Sequence, residues 1–395
     1  MSRLGGLLAG GKRKGSVSSG DAPDDAETSV LDEEQGSIVM SLISQLKIGM
    51  DLSKVTFPTF VLEPRSMLER ITDFMSHPDL IFGAETLEQP EERFIQVLRY
   101  YLSGWHVKPS GVKKPYNPVL GEFFRCRYDY ENGTSGYYLA EQVSHHPPIS
   151  AYYYVSPQNN LRISGEIKPS SRFLGNSVST VMGGENRVYL IKRPEDGEYC
   201  ITMPNMYARG ILFGSMILEL GDTCMAINDQ TGLSCSVEFK VKGYFSGTYN
   251  AIAGKVRKGS MDIGDISGKW SHQMYYTDTQ TGERRELFDA DNAPVMPKVC
   301  LPLDKQEKNE SRRLWSKLTE AIKNKDMEAA TVAKTEVENE QREEAHKRDS
   351  VGVSWEPRFF KPLPDGRWVP KIHIPDDPKE AEACVKQWIW GQASL

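Results

Sequence analysis

Ser234-Cys235-Ser236-Val237-Glu238-Phe239-Lys240-Val241 alternates polar and apolar side chains without a break, which puts Cys235, Val237, Phe239 and Val241 on one face of an extended strand. Leu161, Ile163 and Ile167 alternate in the same way with Arg162, Ser164 and Glu166. Turn pairs recur between such runs: Asn132-Gly133, Gly183-Gly184, Asp196-Gly197, Thr231-Gly232 and Thr281-Gly282. No helical pattern long enough for a parallel crossover intervenes, so the middle of the chain, from Tyr137 onward, is expected to form one large antiparallel sheet or barrel.

Helical character flanks this region. Before it, helical patterns run from Pro64 to Met75 and from Pro90 to Tyr101. The apolar segment Ile38 to Leu52 places Ile38, Leu42, Leu46 and Met50 four apart, as on one helical stripe. Periodicity favours an ordinary amphipathic helix packed on a core; a movable cover is the alternative. Residues 1 to 36 hold Gly, Ser, Asp and Glu without an aromatic residue, so a disordered tail is expected there. After Pro302 come two charged helical stretches, Asp304 to Lys325 and Met327 to Arg348, the first marked by Leu314, Leu318 and Ile322. Trp355, Phe359, Phe360, Trp368, Trp388 and Trp390 then supply aromatic area that is expected to dock on the body.

With 395 residues, 39% of them hydrophobic, the chain can bury a large core. Lys and Arg number 48 against 54 Asp and Glu, a net charge of -6 that lacks the basic excess of a nucleic-acid binder, so no nucleic acid is expected as a partner. No apolar run reaches the roughly 18 residues of a membrane span. Six cysteines without a C-x-x-C pair read as reduced, buried thiols of a cytoplasmic protein.

Three segments concentrate chemistry. Glu141-Gln142-Val143-Ser144-His145-His146-Pro147-Pro148 ends a strand-like run, and its prolines fix the direction of two imidazoles suited to donating hydrogen bonds to an anion. Adjacent residues on a strand point to opposite faces, which argues against paired metal ligation by His145 and His146. Taken alone, the pair reads more readily as two satisfied histidines. Lys113-Lys114-Pro115-Tyr116-Asn117-Pro118 is a rigid loop with two ammonium groups and an amide. Lys334, Glu338 and Arg342 fall four apart on one helix face, which taken alone describes a solvated salt-bridge ladder. There is no G-x-S-x-G, H-E-x-x-H, Walker loop or dinucleotide fingerprint. Ser144 beside His145 is the best enzymatic candidate, and neighbours on a strand diverge, so no catalytic residue, metal or cofactor is expected.

Glu141 to Pro148, with Lys113 to Glu122, Gly243 to Gly247 and Ser354 to Phe360, resembles the oxysterol-binding protein-related lipid-transfer family over about Gly36 to Trp390. The resemblance implies a mainly β fold with flanking helices: a large incomplete antiparallel β-barrel enclosing a lipid tunnel, with an N-terminal lid and a C-terminal helical subdomain. The implied domains are a tail at 1–36 and a lipid-binding domain at 37–395. The latter divides into lid 37–60, helical region 61–110, barrel 111–302 and C-terminal subdomain 303–395. By motif, Lys114, Asn117, His145, His146, Lys334, Glu338 and Arg342 would surround the tunnel mouth and hold the head group of phosphatidylinositol 4-phosphate. Lys and Arg suit a phosphomonoester, while Glu338 would orient Lys334 or Arg342, or accept an inositol hydroxyl.

The lid junction Gly49 to Glu63 and the run Ser170 to Ser177 resemble the phosphatidylserine-transferring fungal subgroup. This implies head-group contact by Ser171, acyl-chain cover by Ile48 and Leu52, and a second-lipid role for Thr59. Sterol carriage, in place of phosphatidylserine, is the alternative cargo, and a lipid sensor the alternative class. A cytoplasmic carrier with transient peripheral contact to anionic membranes, at contact sites of the endoplasmic reticulum with the plasma membrane or Golgi, is the implied setting.

Overall fold

The computed structural model describes residues 27–391 apart from 53, 54, 56, 109, 110, 214 and 244–246. Twelve antiparallel strands follow one path from Arg284–Asp289 at one edge to Phe123–Asp129 at the other, in an order that is the reverse of the chain's. The alternating run Leu233–Phe239 pairs with Ala251–Lys258, Cys235 opposite Val256 and Phe239 opposite Ile252. Cys235, Val237 and Phe239 are buried, as the period of two requires.

Two long strands each serve more than two neighbours. Leu161–Phe173 pairs through Leu161–Gly165 with Asn186–Leu190, and through Lys168–Phe173 with Ser177–Gly183. Ser215–Asn228 likewise pairs with Asn205–Arg209 and then with Leu233–Phe239. The sheet thus branches, and Glu27–Val30 adds to the branch beside Ser215–Leu218. The expected disordered tail is therefore corrected for residues 27–36, which form this strand and the first turn of the helix Glu33–Ile43, capped by Asp32 accepting from Gln35 N at 2.8 Å. Backbone pairing supplies what that composition cannot. Residues 1–26 lie outside the described residues.

One end of the sheet's interior is filled by the helix Pro90–Ser103, whose Phe94, Leu98, Tyr101 and Leu102 share a core with Tyr138, Tyr152, Tyr154, Val237 and Phe239. Arg93 seats it through a bidentate pair with Asp196 at 2.6 and 2.7 Å. Strands Ser135–His145 and Pro148–Ser156 are covered on both faces. Their Tyr137, Leu139, Tyr153 and Val155 pack on Phe359, Phe360, Val385, Ile389 and Trp390, so the late aromatic segment docks on the body.

Three helical expectations shift. Pro64 to Met75 is a strand, Leu62–Ser66, followed by a short helix, Met67–Arg70, and a tight turn. The stretch from Asp304 becomes helical only at Ser311, because Gln306 donates to Leu301 O at 2.7 Å and Glu310 is held by Arg125 at 3.0 Å, which commits residues 301–310 to a crossing loop. The first helix ends at Ile43, not Leu52. Cysteine burial also needs correction: Cys126, Cys224 and Cys235 are buried, whereas Cys200, Cys300 and Cys384 are half-buried.

Away from these features, His77 Nε2 and His106 Nε2 lie 2.7 Å apart under Phe288. Burial, then the charge of His106, lowers His77 from 6.5 to about 4. Such a site favours folding only while neutral: its contribution is complete above pH 6.5 and is lost as pH falls toward 4. The loss should reach about 2 kcal/mol at pH 5 and roughly 3 kcal/mol below pH 4. Urea unfolding at pH 7 and pH 5 measures it, and His77→Gln should shrink the difference by that amount. An equal difference in the variant would remove His77 as its source.

Candidate functional site

Leu62–Ser66 runs parallel to Lys114–Tyr116, with Leu62 opposite Lys114 and Ser66 opposite Tyr116. This pairing and the two prolines hold the loop to Pro118 in an extended path. The strand ending at His145 and the helix Met327–Ser350 complete the enclosure. Lys114, Asn117, His145, His146, Lys334, Glu338 and Arg342 all line one cavity of about 370 Å³, together with Tyr116, Trp315 and Leu318.

The two histidines depart from the alternation expected of a continuing strand. Pairing shifts register between Gln142 and Ser144 and stops at His145 opposite Pro148, so both rings face the same cavity, with centroids 4.5 Å apart. His145 Nδ1 lies 3.2 Å from Pro118 O. The Ser144 hydroxyl donates to Pro147 O at 2.7 Å, so it is turned to backbone and not to His145.

Charge in this cavity is predominantly positive. Lys114 Nζ sits 4.8 Å from the Phe57 ring centroid; burial in the recess, then the charge of Lys334, holds its ammonium below the ordinary lysine value. Burial, then His146, likewise lowers His145. Lys334 donates to Glu338 Oε1 at 2.6 Å, and Arg342 donates to Asn339 Oδ1 at 2.6 Å with its other nitrogen 3.7 Å from Glu338 Oε2. Three cations share one carboxylate here, and an entering anion would offset the burial and the repulsion that depress Lys114 and His145.

A second cavity, about 270 Å³ and lined mainly by apolar side chains, shares Phe57, Lys114, Tyr116, Asn117, His145 and His146 with the first. Val39, Leu42, Ile43, Leu46 and Leu52 line one side of it; Ser171, Phe173, Thr180, Met206, Met216 and Leu218 from the branched sheet also line it. Leu52 N donates to Ser171 O at 3.0 Å and Gly49 N to Phe173 O at 2.7 Å, so the segment after the first helix is paired onto the end of the long strand. The Ser171 hydroxyl bonds the Thr180 hydroxyl at 2.8 Å.

Two expected second-lipid residues are not in this lining. Ile48 is 79% exposed, because the helix has ended and the chain turns toward Gly49, where φ is +84°. The lining therefore takes Val39, Leu42 and Ile43 from the helix and Leu46 from beyond its end, and leaves Ile38, Met40 and Met50 exposed. Thr59 is buried but donates to Met327 Sδ at 3.6 Å, toward the C-terminal helix. Ser53, Lys54 and Thr56 of the expected lid junction lie outside the described residues.

Two carboxylates carry structure that sequence reasoning did not assign. Glu141, inside the histidine motif, accepts from Arg358 N at 2.6 Å and Phe359 N at 2.8 Å, which ties the strand to the aromatic segment. Glu122 is fully buried and accepts from Ser66, Ser311, Trp315 Nε1 and Val119 N, joining the lysine loop to the helices behind it. Gly121 beside it has φ of +78° and no room for a Cβ against Trp355, a local sign that this turn is tightly packed.

Comparison with known proteins agrees with this architecture. The Oxysterol-binding protein family matches residues 41–321. An oxysterol-binding protein homolog of Schizosaccharomyces pombe is 46% identical over 91% of this chain and 77% of its own length. Oxysterol-binding protein homolog 7 of Saccharomyces cerevisiae is 42% identical over 89% of this chain and 82% of its own. Among solved structures, the Osh1 ORD domain in complex with ergosterol superposes with a TM-score of 0.73 at 22% identity, over 90% of this chain and 89% of that one. The Osh3 ORD of Saccharomyces cerevisiae in complex with PI(4)P does so with a TM-score of 0.67 at 21% identity, over 94% and 96%. The branched, incomplete barrel, the matched residues and these identities together make the chain a member of the oxysterol-binding protein family.

Proposed function

We propose that this protein extracts phosphatidylserine and phosphatidylinositol 4-phosphate and exchanges them between membranes. The observation that carries the reading is the sharing of walls: a cavity lined by Lys114, Lys334, Arg342 and two histidines continues into an apolar one through His145, His146 and Asn117. A lipid with an anionic phosphomonoester head needs that combination. The PI(4)P held by the Osh3 domain supports it. Phosphatidylserine is favoured as second cargo because Ser171, Thr180, Gln142 and Ser150 put several polar groups on the apolar wall, more than one sterol hydroxyl would engage. The ergosterol bound by the Osh1 domain supports sterol as the second reading. In this function the protein works in the cytoplasm and meets anionic membranes of the endoplasmic reticulum and the plasma membrane or Golgi transiently.

A two-liposome transfer assay with mass spectrometry of the lipids tests the reading. Unchanged lipid moving in both directions is expected; covalently altered lipid, or selective transfer of sterol, would overturn it. Within the mouth, Lys114→Ala and Arg342→Ala should each weaken inositol-lipid binding about tenfold or more, and Glu338→Ala less, since only the cations meet the dianion directly. Normal binding by Arg342→Ala would return the helix row to a solvated ladder.

A further inference from the structure

Phe123–Asp129 is an edge strand of the sheet, and its open side is crossed by the chain from Val299 to Glu310. Arg127 and Val299 exchange both backbone hydrogen bonds, at 2.9 and 2.8 Å, as an antiparallel bridge. One step along that ladder, Cys126 faces Cys300. The position next to a doubly bonded antiparallel pair is the close one, with Cα atoms about 4.5 Å apart, within the span of a disulfide. The register alone therefore brings the two thiols together across the bridge. Cys126 is fully buried, whereas Cys300 is half-buried and lines a cavity of about 820 Å³ beside Glu69 and Arg312. The neighbouring Cys126 thiol first, then Arg312 and Lys298, holds the Cys300 thiol below the ordinary cysteine value against the opposing effect of its burial, while burial pushes Cys126 up.

We propose that Cys126 and Cys300 form a redox modification site, oxidised by hydrogen peroxide to a cross-strand disulfide. The Cys300 thiolate attacks peroxide; an S–O bond forms, the O–O bond breaks, and hydroxide leaves. Hydroxide takes the Cys126 proton to give water. The Cys126 thiolate then displaces hydroxide from the Cys300 sulfenic acid, so two electrons pass from the two sulfurs to peroxide. The product fastens the crossing segment to the sheet's open edge.

The test uses the full chain treated with a small excess of hydrogen peroxide, alkylated, digested without reductant and analysed by mass spectrometry. The expected result is one linked species joining the Cys126 and Cys300 peptides, two hydrogens lighter than their sum, in more than half of the chains and reversed by dithiothreitol. Half-buried Cys200 and Cys384 serve as internal controls and should stay unlinked. Cys300→Ser should abolish the linked species, and Cys126→Ser should leave a sulfenic acid at Cys300 that dimedone captures. Oxidation of Cys300 to sulfinic or sulfonic acid without a linked peptide, or no reaction at Cys300, would overturn the proposal.

Discussion

Replacing His145 and His146 together by alanine should abolish extraction of phosphatidylinositol 4-phosphate while leaving extraction of the second lipid largely intact. Each imidazole that bonds a charged phosphate is worth about 1.5 to 3 kcal/mol, so the pair should cost roughly a hundredfold to ten-thousandfold in affinity. The tautomer adds a signature. With Nδ1 directed at Pro118 O, a neutral His145 has no proton on Nε2, and only its imidazolium can donate to phosphate. Burial and His146 keep the free ring below its usual value, so binding a dianion must draw in a proton. Affinity should therefore rise as pH falls from 8 toward 6.5, by up to about tenfold per unit, and level off as the phosphate itself protonates near its second pKa of about 6. Vesicle extraction at pH 8 and 7, for wild type and double variant with matched circular dichroism, measures both effects. Equal loss of both lipids, or no pH slope in the wild type, would move the phosphate away from these rings.

The strands were legible because alternation is a local property that pairing merely uses: Cys235, Val237 and Phe239 are inward for the same reason that they alternate. Other features depend on partners far away in sequence. Four-apart spacing drifts about 40° per step around a helix of 3.6 residues per turn, and this helix ends at Ile43, so Ile38, Leu42, Leu46 and Met50 do not share one face, and the cavity selects Val39, Leu42, Ile43 and Leu46. Ile48 is exposed because residues 49–52 are committed to pairing with Ser171 and Phe173, a contact no periodicity announces. The convergence of Lys114, His145 and Lys334 came from family motifs and not from spacing, since their separations in the chain carry no geometric information. Strand alternation would have parted His145 from His146, and it fails there because pairing stops.

Glu122 went unassigned for the same reason, and it should be where small chemical changes act most unequally. Its Oε1 takes the hydroxyls of Ser66 and Ser311, and its Oε2 takes Trp315 Nε1 at 2.9 Å and Val119 N at 3.1 Å. Complete burial raises its carboxyl pKa, so negative charge is not what this position favours; acceptor geometry is. Glu122→Leu takes the acceptor from Ser66 Oγ, Trp315 Nε1 and Val119 N, leaves Ser311 Oγ only Phe123 O at 3.2 Å, and should cost at least about 3 to 5 kcal/mol of stability. It should also weaken inositol-lipid binding without touching the ligand, because Trp315 and the lysine loop both line the mouth. Glu122→Gln behaves differently if its amide oxygen faces Trp315 and Val119, whose N–H groups can only donate. The amide nitrogen then meets two serine hydroxyls, which can rotate to accept. That variant should lose only about 1 kcal/mol and keep near-normal binding. Denaturant midpoints and vesicle extraction for both variants decide the matter: a glutamine variant as unstable as the leucine variant would mean that the site requires the charge, and the loop and helices would then be joined by an ion and not by a set of matched acceptors.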